Sequence, residues 1–307
     1  MNFQQLEYIV AVARERHFAK AAQSCFVTQP TLSMMIKKLE EELDILIFDR
    51  GQHPIAPTQQ GAKIVEQAKI ILNQRDFIFE MIRSEQERLS GTLTIGIIPT
   101  LAPYLLPLFI DKLRETHPEI NLRIEEVNTD TIVEKLKAGT LEVGILATPL
   151  EVENIDESPL FYEKFFIYGR AQPTKQYLMP EDIDIQKLLL LEEGHCMRSQ
   201  VINLCELREK DDRQLSYQMG SLETLIKLVE RNQGITVLPE LAVLELDESR
   251  QHRVAAFQAP SPMREISIVT HRSFIKKSML AAIRAIILAH LPSDVKNNPP
   301  QRLLSIK

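Results

Sequence analysis

Two cysteines stand nine residues apart in the stretch Gly194-His195-Cys196-Met197-Arg198-Ser199-Gln200-Val201-Ile202-Asn203-Leu204-Cys205. That interval does not fit a C-x-x-C redox or zinc motif. A zinc site needs about four ligands, and His195, Cys196 and Cys205 supply three at most. The plain alternative is a pair of buried thiols packed as small hydrophobes. The neighbours give Cys196 a more chemical reading. Gly194 precedes it, and the residues after it can form a helix. A thiol in the first turn of a helix faces backbone N–H groups that favour the thiolate. His195 and Arg198 are candidates to add donors or positive charge. Cys205, beside Ile202 and Leu204, reads as the more buried of the two.

Spacing limits how these thiols can react together. In an unbroken helix, nine steps of about 1.5 Å put the two Cα atoms roughly 13 Å apart. A disulfide needs less than about 7 Å. Joining the thiols therefore requires unwinding the segment. Closing the loop offsets part of that cost by about a few kcal/mol, enough to bias a two-state element. The third thiol, Cys25, lies next to apolar Phe26 and reads as packed. Three cysteines are too few for a disulfide scaffold. No cofactor motif and no metal cluster is read from the sequence.

A second group of residues has the types that bind nucleic acid. Gln29, Pro30, Thr31 and Ser33 open a helical stretch, and Lys37 and Lys38 follow. Thr28 is placed to cap that helix and Pro30 to sit in its first turn, where a missing N–H costs nothing. Leu32, Ile36, Leu39 and Leu43 space its buried face. An alanine-rich helix over Phe18–Ser24 precedes it across a short break, which is a helix-turn-helix pattern. In that motif the start of the second helix reads base edges while flanking cations hold phosphates. Phe48 to Thr58, with two prolines and a glycine, reads as a small β-wing. Arg50 at its start is a candidate for a minor groove or a phosphate. His17 and His53 read as a surface residue and a wing residue.

The remaining elements must position these two groups. Gln59 to about Leu89 is one long helical stretch. Ile64, Ala68, Ile71, Ile78 and Ile82 mark a short heptad run that points to self-pairing; packing on its own domain is the alternative. From Leu93 onward, strands (93–98, 122–127, 143–147) alternate with helices (101–116, 129–137), as in an α/β sheet with crossovers. The alternation resumes through 165–168, 188–191, 215–217, 221–231, 235–238 and 266–270, and a last helix runs over about 275–291. The tail beyond Pro292, with Asn297-Asn298-Pro299-Pro300, is expected to be loose.

Composition excludes several classes. The 307 residues are 44% hydrophobic and 25% charged, an ordinary globular balance. No apolar run approaches the ~18 residues of a membrane span, and the N-terminus has no secretory pattern, so a cytoplasmic protein is expected. Net charge is −6, so DNA binding must rest on a local surface. Residues 1–63 carry seven basic and seven acidic side chains, but the acids crowd at Glu40-Glu41-Glu42-Asp44, away from the contact end.

Residues 1–63, with Phe18-Ala19-Lys20-Ala21-Ala22, Thr28-Gln29-Pro30-Thr31-Leu32-Ser33, Ile36-Lys37-Lys38-Leu39-Glu40, Leu46-Ile47-Phe48-Asp49-Arg50 and Thr58-Gln59-Gln60-Gly61, resemble the winged helix-turn-helix of LysR-type transcriptional regulators. The resemblance covers nearly the whole chain. It implies a winged DNA-binding domain (1–58), a dimerising linker helix (59–89), and a two-lobed α/β regulatory domain of periplasmic-binding-protein shape (90–292). Lobe I would hold about 92–163 plus 264–292, lobe II about 164–263, and 293–307 the loose tail. Homodimers or homotetramers on promoter DNA, in contact with RNA polymerase, are implied as well.

Within that family, Gly194-His195-Cys196 with Arg198, Gln200 and Cys205 is similar to the hydrogen peroxide-sensing members. So are Ile98-Pro99-Thr100, Pro103-Tyr104-Leu105-Leu106-Pro107, Gly220-Ser221-Leu222-Glu223-Thr224-Leu225 and Gly234-Ile235-Thr236-Val237-Leu238-Pro239. This implies that Cys196 attacks peroxide and Cys205 resolves the sulfenic acid as a disulfide. It implies peroxide-binding roles for Thr100, Thr129, His195 and Arg264, and reduction by a glutaredoxin or thioredoxin system. By themselves, Thr100 and Thr129 read as a strand-end residue and a helix N-cap. Two other functions stay open: a LysR-type regulator answering a small metabolite, and a thiol peroxidase enzyme, for which the winged module has no use.

Overall fold

In the computed structural model the described residues are 1–51, 54–84, 89–169, 179–180, 183–191, 196–205, 220–232 and 234–306. The chain forms two compact units, Met1–Glu87 with Ser273–Lys276, and Arg88–Arg272 with Lys277–Lys307.

The first unit opens with α1 (Phe3–Glu15), α2 (Phe18–Ser24) and α3 (Gln29–Leu43). Each has a side-chain N-cap: Asn2 in a full capping box, then His17, then Thr28. Ile9, Val12, Ala21, Leu32, Ile36 and Leu39 close one core between them. Strands β1 (Phe48–Asp49) and β2 (Ala56–Pro57) pair antiparallel as the wing. Helix α4 (Gln59–Ser84) follows. A Cβ at Gly61 would collide with the Ile47 carbonyl, so glycine lets the first turn of α4 seat against the wing root. Val65 and Ala68 belong to the helix-turn-helix core, with Ile64 and Ile71 packed on it. The first half of α4 thus packs on its own domain, while Ile78 stays 59% exposed.

The second unit begins β3 (Gly91–Ile97), α5 (Ala102–Thr116), β4 (Ile120–Glu126), α6 (Thr129–Ala138), β5 (Val143–Thr148). β3 lies between β4 and β5, parallel to both, so both connections are helical crossovers. Every residue of β5 is buried, as expected for a strand covered on both faces. A Cβ at Gly144 would lie 2.6 Å from Ile132 of α6. Glycine there lets α6 lie close on the sheet, which brings the start of α6 to the end of β5.

Strand β6 spans Ile155–Gly169. The later elements are α7 (Cys196–Leu204), α8 (Leu222–Asn232), β7 (Ile235–Pro239), α9 (Glu240–Leu244), α10 (Glu248–Gln251), β8 (Val254–Ala256) and β9 (Pro262–His271). The first part of β6 pairs antiparallel with β9, and its last five residues pair with β7. The sheet runs β4-β3-β5-β9-β6-β7. The expected strand over Leu188–Leu191 is reduced to a single bridge between Leu188 and Ile235. The expected strand over Leu215–Tyr217 lies outside the described residues, as does His53.

The C-terminus corrects an expectation. After α11 (Lys277–His290), the residues beyond Pro292 are not loose. They form α12 (Ser293–Lys296) and β10 (Arg302–Leu303), which adds to β9 in parallel. Val295 is fully buried, and Asn298 donates to the Tyr162 carbonyl and to Glu240. The asparagine-proline run is polar in composition, but its amides find buried acceptors, which composition does not reveal.

Candidate functional site

Cys196 is the first residue of α7, as the glycine before it foretold, and it is buried. It lies against the Ala147 backbone on β5, the Thr129 side chain at the start of α6, and Arg264 on β9. Burial pushes the thiol pKa above its ordinary value. The Arg264 charge, the Thr129 hydroxyl and the backbones of Met197 and Ala147 pull it back in part. The thiolate expected at a helix N-terminus is therefore not the resting form. The physical reason is that a sulfur without water loses more from desolvation than these neighbours return.

Thr129 is the first helical residue of α6, and the cap is its neighbour Asn128. Its hydroxyl oxygen faces the thiol but completes no hydrogen bond of good geometry. With Gln200 Oε1, it is one of two buried side-chain oxygens without a partner among the described residues. Buried polar atoms are rarely left so.

Arg264 and Thr100 are joined directly, a contact the sequence did not announce. Arg264 is fully buried. Its Nη1 donates to Thr100 Oγ1 at 3.0 Å and its Nη2 to the Thr100 carbonyl at 3.3 Å. The guanidinium stacks 5.9 Å from the Phe165 ring centre. Its counterion, Glu163, was not anticipated in the sequence. Glu163 is also fully buried and sits directly across from Arg264 in the β6–β9 register. Glu163 Oε1 accepts from Arg264 Nε at 2.8 Å, and its Oε2 accepts from the Leu241 amide at 3.2 Å. A glutamate one position after a tyrosine in a strand carries no mark of this. Only the register with Arg264 reveals it.

His195 lies outside the described residues. Arg198 donates to the Leu191 carbonyl at 2.9 Å. Cys205 is the first residue past α7, with its amide still bonded to the Val201 carbonyl. It is the more exposed of the two thiols, the reverse of expectation, because it sits in the turn beyond the buried face of the helix. None of the three cysteines is joined in a disulfide. Helix α7 is continuous between the pair, so the roughly 13 Å separation holds.

In the first unit, Gln29, Pro30, Thr31 and Lys37 are exposed at and beyond the start of α3, and Ser33 is half-buried. Arg50 is tied down: Nη2 donates to Glu40 Oε2 at 2.9 Å and the guanidinium lies 5.5 Å over Phe18. Glu40 differs from the exposed Glu41, Glu42 and Asp44 beside it in the sequence. It is buried, and its other oxygen accepts from the Ile47 and Phe48 amides at 2.8 and 3.2 Å. One carboxylate thereby fixes the wing root and its arginine.

Comparison with known proteins agrees with this architecture. A family described as "Bacterial regulatory helix-turn-helix protein, lysR family" matches residues 3–62, and "LysR substrate binding domain" matches 86–292. The chain belongs to the LysR family of bacterial transcription regulators. Among its relatives is a DNA-binding transcriptional dual regulator, OxyR, of Escherichia coli. The two are 37% identical over 305 residues, 96% of this chain and 99% of that protein. A hydrogen peroxide-inducible genes activator of Haemophilus influenzae is 37% identical over 88% of this chain and 90% of its own length. A full-length OxyR variant of Pseudomonas aeruginosa has a similar structure, with a TM-score of 0.78 at 35% identity over 94% of this chain and 97% of that one.

Proposed function

We propose that this LysR-family regulator senses hydrogen peroxide through Cys196 and Cys205 and controls oxidative-stress genes. The observation that carries the reading is the setting of Cys196: a buried thiol at a helix start, beside an arginine and a buried threonine hydroxyl, with a second thiol just past the far end of the same helix.

The chemistry runs in two steps. Cys196, as thiolate, attacks one peroxide oxygen; the O–O bond breaks, the sulfur becomes a sulfenic acid, and the other oxygen leaves as water once protonated. Thr100, Thr129, His195 and Arg264 are the residues proposed to hold the two oxygens, and Arg264 stabilises the departing charge. The Cys205 thiol then displaces water from the sulfenic sulfur to form the disulfide. That second step needs α7 to unwind, because the thiols cannot otherwise meet.

The unwound and helical states would present different dimer geometries to DNA. Gln29, Pro30, Thr31 and Ser33 would read base edges, and Lys37 would hold phosphates. Arg50 acts from the wing root. Exposed Ile78 on α4 is the residue most suited to pairing with a second copy. Both redox forms, as dimers or tetramers in the cytoplasm, would bind promoters with different half-site spacing and meet RNA polymerase differently. A glutaredoxin or thioredoxin system would return the thiols. No helix among the described residues is long and apolar enough to cross a membrane.

The test is peptide mass spectrometry of the reduced protein after brief exposure to micromolar peroxide. A Cys196–Cys205 disulfide, missing in Cys196→Ser, is expected. Two free thiols at that dose would leave a regulator that answers another ligand.

A further inference from the structure

We infer that Glu163 is the positioning residue for Arg264, fixing the guanidinium against Thr100 and damping the positive charge that reaches Cys196. This rests on reading Cys196 as the reactive sulfur. The argument begins with burial. An arginine cannot lose its proton, so a fully buried Arg264 must be paired in the fold. Glu163 takes two of its donors on one oxygen: Nε and Nη2 both lie 2.8 Å from Oε1. That leaves Nη1 as the arm directed to the Thr100 hydroxyl. The carboxylate is itself locked, with Oε2 held by the Leu241 amide at the start of α9. Strand register does the rest, since Glu163 and Arg264 are direct cross-strand partners.

The consequence is electrostatic. The thiol feels a cation whose charge is largely answered by its neighbour. In this assignment the damping adds to burial, the larger cause, in favouring the thiol. The other ionisable groups around this pair are Tyr104 of α5, bonded to Glu223 of α8, and Glu240 of α9, which is held by Lys164 and Asn298. Tyr104 and Glu240 are pushed toward their neutral forms by burial. Among the described residues, Glu163 is the carboxylate bonded to Arg264. His195 precedes the sulfur in every variant alike.

The ultraviolet absorbance of a thiolate tests the proposal in the full-length protein. The difference between each variant and its Cys196→Ser counterpart isolates one sulfur, and no reagent has to reach a buried site. Glu163→Gln, which keeps the shape and removes the charge, is expected to lower the Cys196 pKa by about one unit. Adding Arg264→Met should return the pKa to the wild-type value or above it. An unchanged pKa in Glu163→Gln overturns the proposal. So does a fall that persists in the double variant, which would mean that the site had merely opened to water. If circular dichroism shows Glu163→Gln unfolded, Glu163→Asp takes its place. It keeps the charge but shortens the arm, so it should draw the guanidinium back and raise the thiol pKa by about half a unit; no change or a fall overturns the proposal. None of these titrations uses peroxide. Failure of the disulfide to form with peroxide would sink the sensor reading and leave this assignment standing.

Discussion

The side-chain amide of Gln200 donates to the Leu304 carbonyl at 3.2 Å, so the helix that begins at Cys196 is fastened to the C-terminal strand. Asn203, one turn on, reaches the Ser305 carbonyl. The Leu304 amide is bonded in turn to Met263, next to Arg264. Unwinding α7 must break the first two of these bonds. Ending the chain after Gln301 should therefore ease the transition. Disulfide formation after peroxide, followed by quenched mass spectrometry, is expected to run several-fold faster, since each net hydrogen bond contributes roughly 1 kcal/mol. An unchanged rate would show that the strand plays no part in holding α7.

The raised pKa of Cys196 sets a pH dependence. The thiolate is the nucleophile, and a pKa above the ordinary thiol value leaves only a small thiolate fraction at neutral pH. The initial rate of Cys196 oxidation should therefore rise about tenfold per pH unit between about pH 6 and pH 8. A flat profile over that range would mean that the sulfur is already ionised.

Removing one member of the buried pair should cost more than removing both. Arg264→Met leaves Glu163 charged and unanswered, and about 3–5 kcal/mol of stability should be lost. Glu163→Met with Arg264→Met should recover most of it, because an apolar pair of similar volume is tolerated there. Thermal melts of the full chain, compared among the three proteins, decide this.

The wing root offers a separate test. Glu40→Ala removes an acceptor used by Ile47, Phe48 and Arg50. A stability loss of about 2 kcal/mol is expected, along with weaker promoter binding as the wing loosens. By contrast, Lys37→Ala should leave the fold alone and reduce the salt slope of DNA binding by about one. Fluorescence anisotropy across a salt series separates the two effects. Equal slopes for wild type and Lys37→Ala would remove Lys37 from the phosphate contacts.

Local pattern was enough to reach much of this protein. The cap at Thr28, the buried Leu32, Ile36 and Leu39 of α3, the crossover order β3-α5-β4-α6-β5 and the start of α7 at Cys196 all follow from residues within a few positions of one another, although Leu43, on the same spacing, stays exposed. Such features are decided by short-range sterics and hydrogen bonds, so a single chain displays them. Tertiary structure decided what depends on distant partners. Glu163 became a counterion because strand register set it opposite Arg264, a hundred residues away in the chain. Glu40 is a buried acceptor, unlike the acids next to it, because the wing root donates to it at the end of α3. The tail became a strand because β9 had an edge to offer and α7 an amide to donate. The pKa of the Cys196 sulfur depends on distant partners in the same way. A helix start is visible in sequence, but the depth at which it is buried is a property of everything packed around it, and here burial outweighs the helix.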